Sequence, residues 1–344
     1  MRAELAPLQE KKRRNGMRRN AFYPNCLQRT GRRLRAIRQP PRSVRARDLL
    51  SSVVVHGTLR LSRMNSSVHF QKIPITKVSD YWSARPCNIR HSPKPVGTRE
   101  YFDEVEARKY FVERHIPDFA EFERWKGKRV LEIGCGIGTD TMNFARHGAE
   151  VTAVDLTEKS LEVARQRARI FGLQDRIRFV QANVEQLSDI VPVEAYDLIY
   201  SFGVIHHTPR PERAVQEMRK YVHANSTLKV MVYNRWSWKA LWILLGYGKG
   251  QFWKMNRLIA EYSEAQAGCP VTYSYGRRDG RRLLEDHGFH VTNVMVDHIF
   301  PYQISEYVQY RYRLVWYFRW MPGLLLRGLE RMWGWHLCLT AVPK

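Results

Sequence analysis

From Gly127 onward, short apolar runs alternate with amphipathic stretches. Arg129–Ile133 (RVLEI) is an apolar run that ends in glycines, the pattern of a strand buried on both faces. Residues 140–147 read as a helix that Gly148 closes, and 150–154 as a second strand. Thr157 is placed to cap a helix running to about residue 171, with Gly172 ending it. Residues 177–180 and 196–200 are the third and fourth strands. Pro211 sits in the first turn of a helix to 222, where its missing N–H costs nothing, and 228–233 is a fifth strand. Strands alternating with helices at this spacing predict a doubly wound α/β fold, a parallel sheet with both faces covered. Residues 279–287 add a helix, and 289–296 and 335–342 two further strands.

The pattern changes on either side of this region. Residues 76–125 read as an ordered, helical lead-in. Within it, 103–115 carries Val105, Tyr110 and Phe111, followed by Ile116, at near-helical spacing among charges. Residues 1–75 carry 18 Lys/Arg against 3 Asp/Glu, whereas 76–344 carry 39 against 30. The net charge of +24 is therefore mostly a property of the first 75 residues. With so little apolar periodicity, that stretch is expected to be a disordered basic extension, Met64 being an alternative start. A mitochondrial presequence and a nucleic-acid-binding arm are the other readings of the same composition. Five cysteines with no C-x-x-C pair argue against a disulfide framework and a thiolate zinc site, and for a reducing, cytoplasmic compartment. No apolar run approaches the ~18 residues that span a bilayer.

The chemistry concentrates at residues 131–140, LEIGCGIGTD. Gly134, Gly136 and Gly138 follow a strand and open a helix, where a tight turn lets backbone approach a ligand. The spacing is G-x-G-x-G, without the G-x-G-x-x-G phosphate pattern, and no Walker lysine follows. Glu132 ends the strand. Its carboxylate would repel a pyrophosphate and attract the ammonium of an amino-acid moiety. Asp155 ends the next strand, where a carboxylate can accept both hydroxyls of a ribose.

LEIGCGIGTD, with AVDLT (153–157), VQANVEQL (180–187) and YDLIYSFGVIHHTPRPERAVQEM (196–218), resembles the class I S-adenosylmethionine-dependent methyltransferases. The type 11, ubiquinone/menaquinone-like group is the nearest likeness. The resemblance covers about 110 residues strongly. It implies a Rossmann-like seven-stranded sheet, mostly parallel with the last strand antiparallel, in a domain over 126–344 with aromatic insertions at about 234–275 and 301–334. It implies S-adenosyl-L-methionine as cofactor and S-adenosyl-L-homocysteine as product. Gly134, Gly136 and Gly138 would admit the cofactor's amino-acid end, supported by Glu132. Asp155 would hold the ribose and Leu156 line the adenine. Asn183 stands where the family usually has Asp; its amide oxygen would accept from the adenine amine, and Val184 would offer a backbone N–H. Ser201 and Phe202 would sit beside the sulfonium. His206 or His207 is the candidate general base, an imidazole titrating near working pH.

The acceptor is less legible. The fourth strand leads into Ser201-Phe202-Gly203-Val204, not an N-P-P-[YF] motif, and no Pro-Cys nucleophile occurs, so nucleic-acid methylation is disfavoured. Eight of the ten Trp and ten of the seventeen Tyr lie in 231–344, interleaved with arginines in 301–334. These aromatics suit a lid over an apolar acceptor, an interfacial membrane contact, an RNA-stacking surface or ordinary core and dimer contacts. The sequence is therefore read as an enzyme that methylates an O or C nucleophile of a small, partly apolar molecule, with peripheral membrane contact through 301–334. Its rivals are an RNA methyltransferase that uses the basic extension, and a catalytically inactive cofactor-binding scaffold. The oligomeric state is not encoded in any pattern found.

Overall fold

The computed structural model describes residues 70–263 and 269–344. Seven strands form one sheet: β1 (Arg129–Ile133), β2 (Glu150–Asp155), β3 (Ile177–Gln181), β4 (Tyr196–Phe202), β5 (Val222–Tyr233), β6 (Phe289–Asp297) and β7 (His336–Pro343). Their order is β3-β2-β1-β4-β5-β7-β6. Pairs among β1 to β5 are parallel, and β7 runs antiparallel between β5 and β6. The chain reverses strand order beside β1, so the carboxyl ends of β1, β2 and β4 open onto a crevice at the switch point.

Period-two alternation sends neighbouring residues to opposite faces. Leu131, Ile133, Ile199, Leu337 and Leu339 join one core with Val215 and Met218 of the helix Pro211–Arg219 and Leu284 of the helix Arg277–Glu285. Val130, Leu198, Tyr200 and Cys338 join the other. There they meet Met142 and Phe144 of the helix Thr139–Arg146, Leu161 of the helix Glu158–Phe171, and Phe119, Phe122 and Trp125 of the lead-in.

Most predicted elements stand within a few residues of their expected positions. The clearest displacement is β5, which begins at Val222 rather than 228, because the preceding helix stops at Arg219. Thr157 does precede its helix but caps nothing with its side chain; its N–H donates to Asp155 Oδ1 at 2.9 Å instead.

The lead-in comprises the α-helices Ile75–Ala84, Arg99–Val112 and His115–Ala120 and the short 3-10 helix Phe122–Trp125. Its order begins earlier than expected: Phe70 is buried and meets Tyr273 edge-on at 5.1 Å. Residues 70–75 thus belong to the packed structure, because Phe70, Ile73 and Ile75 share an apolar cluster with Val271 and Tyr273. The remainder of the expected basic extension lies outside the described residues.

The 301–334 insertion contains the short helices Ile304–Tyr307 and Trp316–Arg319 and the longer Gly323–Trp333. Arg108 of the lead-in ties it down, donating to the Tyr307 carbonyl at 2.5 Å with its guanidinium 3.9 Å from that ring's centre. Among the described residues, no helix is long and apolar enough to cross a membrane.

Candidate active site

The turn after β1 is held by its own backbone: Gly134 N and Cys135 N both donate to the Val154 carbonyl, at 2.7 and 2.9 Å. Gly134 has φ +75°, and a Cβ there would lie 2.2 Å from Val204 Cγ2, so the turn excludes any side chain. Gly136, with φ +55°, differs: its nearest neighbour to a built Cβ is Cys87 Cβ at 3.9 Å, because the position faces open cleft.

Two carboxylates flank the turn. Asp155 Oδ2 accepts from Gly136 N at 2.9 Å, which fixes the loop against β2. Burial raises the Asp155 carboxyl above its usual range, while bonds from Thr157, Gly136 and Leu156 pull it back. Glu132 is buried and accepts from Thr141 Oγ1 at 2.5 Å. Burial, followed by the neighbouring Asp140 charge, pushes Glu132 up to about 8.

These groups border a cleft of two adjoining chambers. The first is mostly apolar; Ile75, Val78, Trp82, Leu156, Val184 and Val204 line it, and Asp155, Asn183, Ser160, His207 and Thr208 are its polar points. The second shares Trp82, Gly134, Gly136, Phe202, Gly203 and His207 with the first. Its own walls are polar: Glu132, Asp140, Lys109, Glu113, Tyr233 and His336.

Charge inside the second chamber is balanced locally. Lys109 Nζ lies 2.7 Å from Asp140 Oδ1. Burial pulls the ammonium down, but Asp140 and Glu113 outweigh it and the net shift is upward. Tyr110 and Tyr200 also donate to Asp140, at 2.9 and 3.1 Å.

The two histidines after β4 have different surroundings. His207 lines both chambers; its Nδ1 lies 2.9 Å from the Val271 carbonyl, an acceptor that favours a proton on Nδ1, and 3.2 Å from Thr272 Oγ1, while its Nε2 is buried. His206 is fully buried and lines neither, its ring 4.0 Å from that of Tyr233. Burial, with His207 beside it, holds His206 well below the normal imidazole range.

Residues 130–225 match the family model described as a methyltransferase domain. Over those residues the chain is similar to methyltransferase domains. A ubiquinone biosynthesis O-methyltransferase of Photorhabdus laumondii is 32% identical over 129 residues, 38% of this chain and 52% of that protein. The chain spans about half the length of the curated relatives it matches. The magnesium protoporphyrin IX methyltransferase of Synechocystis PCC 6803, a crystal structure with bound SAH, superposes with a TM-score of 0.51 at 16% identity. It covers 79% of this chain and 100% of its own. The geranyl diphosphate C-methyltransferase of Streptomyces coelicolor A3(2) gives 0.50 at 14% identity, covering 80% and 98%. These structural likenesses establish the fold.

Most of the expected site residues meet at the cleft. Gly134, Gly136, Asp155, Leu156, Asn183, Val184 and His207 line the first chamber and Glu132 the second. Three expected residues do not. Gly138 lies one turn further on, its built Cβ 3.1 Å from Ala164 Cβ, so it serves helix packing. Ser201 falls on the pleat face of Ile199 and is fully buried, whereas Phe202 reaches the cleft. His206 is shut inside the core. Asn183 is present but partly engaged, its Oδ1 accepting from Glu185 N at 3.0 Å.

The sequence reading missed the cleft's outer wall. Ile75, Val78 and Trp82 come from the first lead-in helix, and their i, i+3, i+7 spacing was a readable amphipathic signal. It also missed Glu113 and His336, which lie 223 positions apart and carry no local pattern.

Proposed function

We propose that this chain transfers the methyl group of S-adenosylmethionine to an O or C nucleophile of a small, partly apolar acceptor. The observation that carries the reading is the cleft itself: an apolar chamber and a polar chamber joined at the Gly134–Gly136 turn, with an acidic group at each side. The residues fit the cofactor. The open approach at Gly136 leaves room where a Cβ would intrude, Asp155, which accepts from Gly136 N and from Thr157 N and Oγ1, has room for at most one ribose hydroxyl, and Glu132 suits an ammonium. Leu156 and Val184 would enclose the adenine, with Asn183 at its edge. When bound, the cofactor supplies an activated methyl on a cationic sulfur.

The chain's own contribution is alignment, exclusion of water and removal of one proton. Trp82 and Phe202 flank the junction of the chambers and keep water from it. His207 Nε2 takes the acceptor's proton, its tautomer favoured by the Val271 carbonyl. An oxygen nucleophile is favoured because the matched relatives are named as O-methyltransferases.

The aromatic insertion supports delivery of an apolar acceptor from a membrane surface. Leu324 is 87% exposed, Trp320 80% and Trp316 75%, and the exposed Arg319, Arg327 and Arg331 accompany them. Trp and Arg beside exposed leucine suit the headgroup boundary of a bilayer.

The test is transfer of labelled methyl to hydroxylated quinol-type acceptors. Wild type is expected to methylate at least one. His207→Asn should lower kcat about 100-fold or more while leaving the cofactor KM unchanged, and His206→Leu should leave kcat within a few-fold. Transfer to RNA with none to the quinols, or a His207→Asn variant at full rate, contradicts the reading.

A further inference from the structure

The wall of the polar chamber remote from the glycine turn holds a cluster with no part in the steps above. His336 opens β7, His298 follows β6, Glu113 caps the C-terminal end of the helix Arg99–Val112, and His115 begins the next helix. One ligand atom each from Glu113, His298 and His336 lie within 4.8 Å of one another. The His298 and His336 rings stack at 4.6 Å, and His336 Nε2 is 3.6 Å from Glu113 Oε1.

The surroundings orient these donors. His336 Nδ1 lies 3.0 Å from His115 Nε2, and His115 Nδ1 lies 3.9 Å from Asp297 Oδ1. A proton on His336 Nδ1 donates to His115 Nε2 and leaves the His336 Nε2 lone pair toward Glu113, with the Asp297 carboxylate near His115. A hydrogen-bond acceptor behind the second ring nitrogen fixes the tautomer and orientation of a ligand imidazole. His298 is held with φ +72°, a left-handed conformation uncommon outside glycine. The Asp297 carboxylate accepts from its N–H at 2.7 Å, and its carbonyl accepts from Trp335 N at 2.7 Å. The backbone is therefore locked in the form that brings the imidazole against His336.

We propose that Glu113, His298 and His336 bind one divalent transition-metal ion of the zinc or ferrous-iron kind, with His115 and Asp297 as its outer support. Two imidazoles and one carboxylate are a donor set that leaves coordination positions open. Donors on one zinc ion stand roughly 3–3.5 Å apart, so side-chain rotations of about an ångström complete the set. Lys109 and Lys239 are the nearby cations. Lys109 is paired with Asp140, Lys239 lies 4.7 Å from the Trp335 ring centre, and the Glu113 and Asp297 carboxylates offset their repulsion. Glu113 and His336 line the same chamber as Glu132 and His207, so the open positions face the site of transfer. There the ion holds an oxygen of the acceptor; this last role rests on the methyl-transfer reading, whereas ion binding does not.

The experiment strips the full chain with a chelator and titrates Zn²⁺ against a chromophoric competitor, alongside His298→Asn and Glu113→Gln. Wild type should take up one equivalent, and each variant should bind about 10–100-fold more weakly. Glu113 is a partly exposed helix-end residue, so its variant should fold even if His298→Asn does not. S-adenosylmethionine titrated into the same metal-free samples reports on the methyl-transfer reading separately. Wild type that binds that cofactor but no stoichiometric zinc, or a Glu113→Gln variant that binds zinc as tightly as wild type, overturns the proposal.

Discussion

At the scale of single residues, the acidic groups beside the glycine turn are those proposed to meet the cofactor's ammonium and ribose. Glu132 is held up near 8, chiefly by burial and then by Asp140. Its folded-state value lies above the unfolded one, so its contribution to stability is present below about 4.5 and is lost as pH rises through about 8. An ammonium placed against it favours the ionised form. Cofactor binding near pH 6.5 should therefore release close to one proton, and affinity should fall by up to about tenfold per pH unit below 8. Calorimetry in two buffers of different ionisation enthalpy measures this, and Glu132→Gln should release none. Binding by wild type without proton release would remove Glu132 from the ammonium site. Much of this was legible in LEIGCGIGTD, because a glycine turn and its flanking carboxylates act locally. Ser201 was misplaced because its side depends on strand pleat, and His206 because two adjacent histidines look alike until Tyr233 packs over one of them.

At the scale of elements, sequence periodicity located the sheet and its covering helices, since burial on two faces leaves continuous apolar runs. The start of β5 was less legible: residues 222–227 read as helix end and loop, and only pairing of Tyr196 with Val222 and of Leu198 with Thr227 draws them into the sheet. The first lead-in helix was overlooked because it is short and lies beside a basic stretch. The helix Gly323–Trp333 has no buried residue; Trp333 stacks on Trp238, while Leu324, Leu325 and Met332 are exposed. If it rests on a bilayer, Leu324→Glu with Leu325→Glu should weaken co-sedimentation with anionic vesicles about tenfold or more. The same double variant should methylate a water-soluble acceptor normally. Unchanged vesicle binding would assign the exposed face to another role.

At the scale of the whole molecule, the sheet brings β1, β2 and β4 to one edge of the cleft, and the lead-in helices with β7 close the other. The half near the glycine turn was readable because its residues follow one another along successive strands. The far half was not, since Glu113, His298 and His336 meet only through the antiparallel return of β7 between β5 and β6. The central claim is that this cleft binds S-adenosylmethionine through the Gly134–Gly136 turn and Asp155. Calorimetric titration of S-adenosylmethionine and S-adenosylhomocysteine into the full chain, beside Asp155→Ala, tests it most directly. The account predicts micromolar binding of both by wild type and a loss of about 100-fold or more in the variant, which forfeits the ribose acceptor and the Gly136 anchor together. A folded wild type that binds neither compound, or an Asp155→Ala variant that binds both equally well, would contradict it.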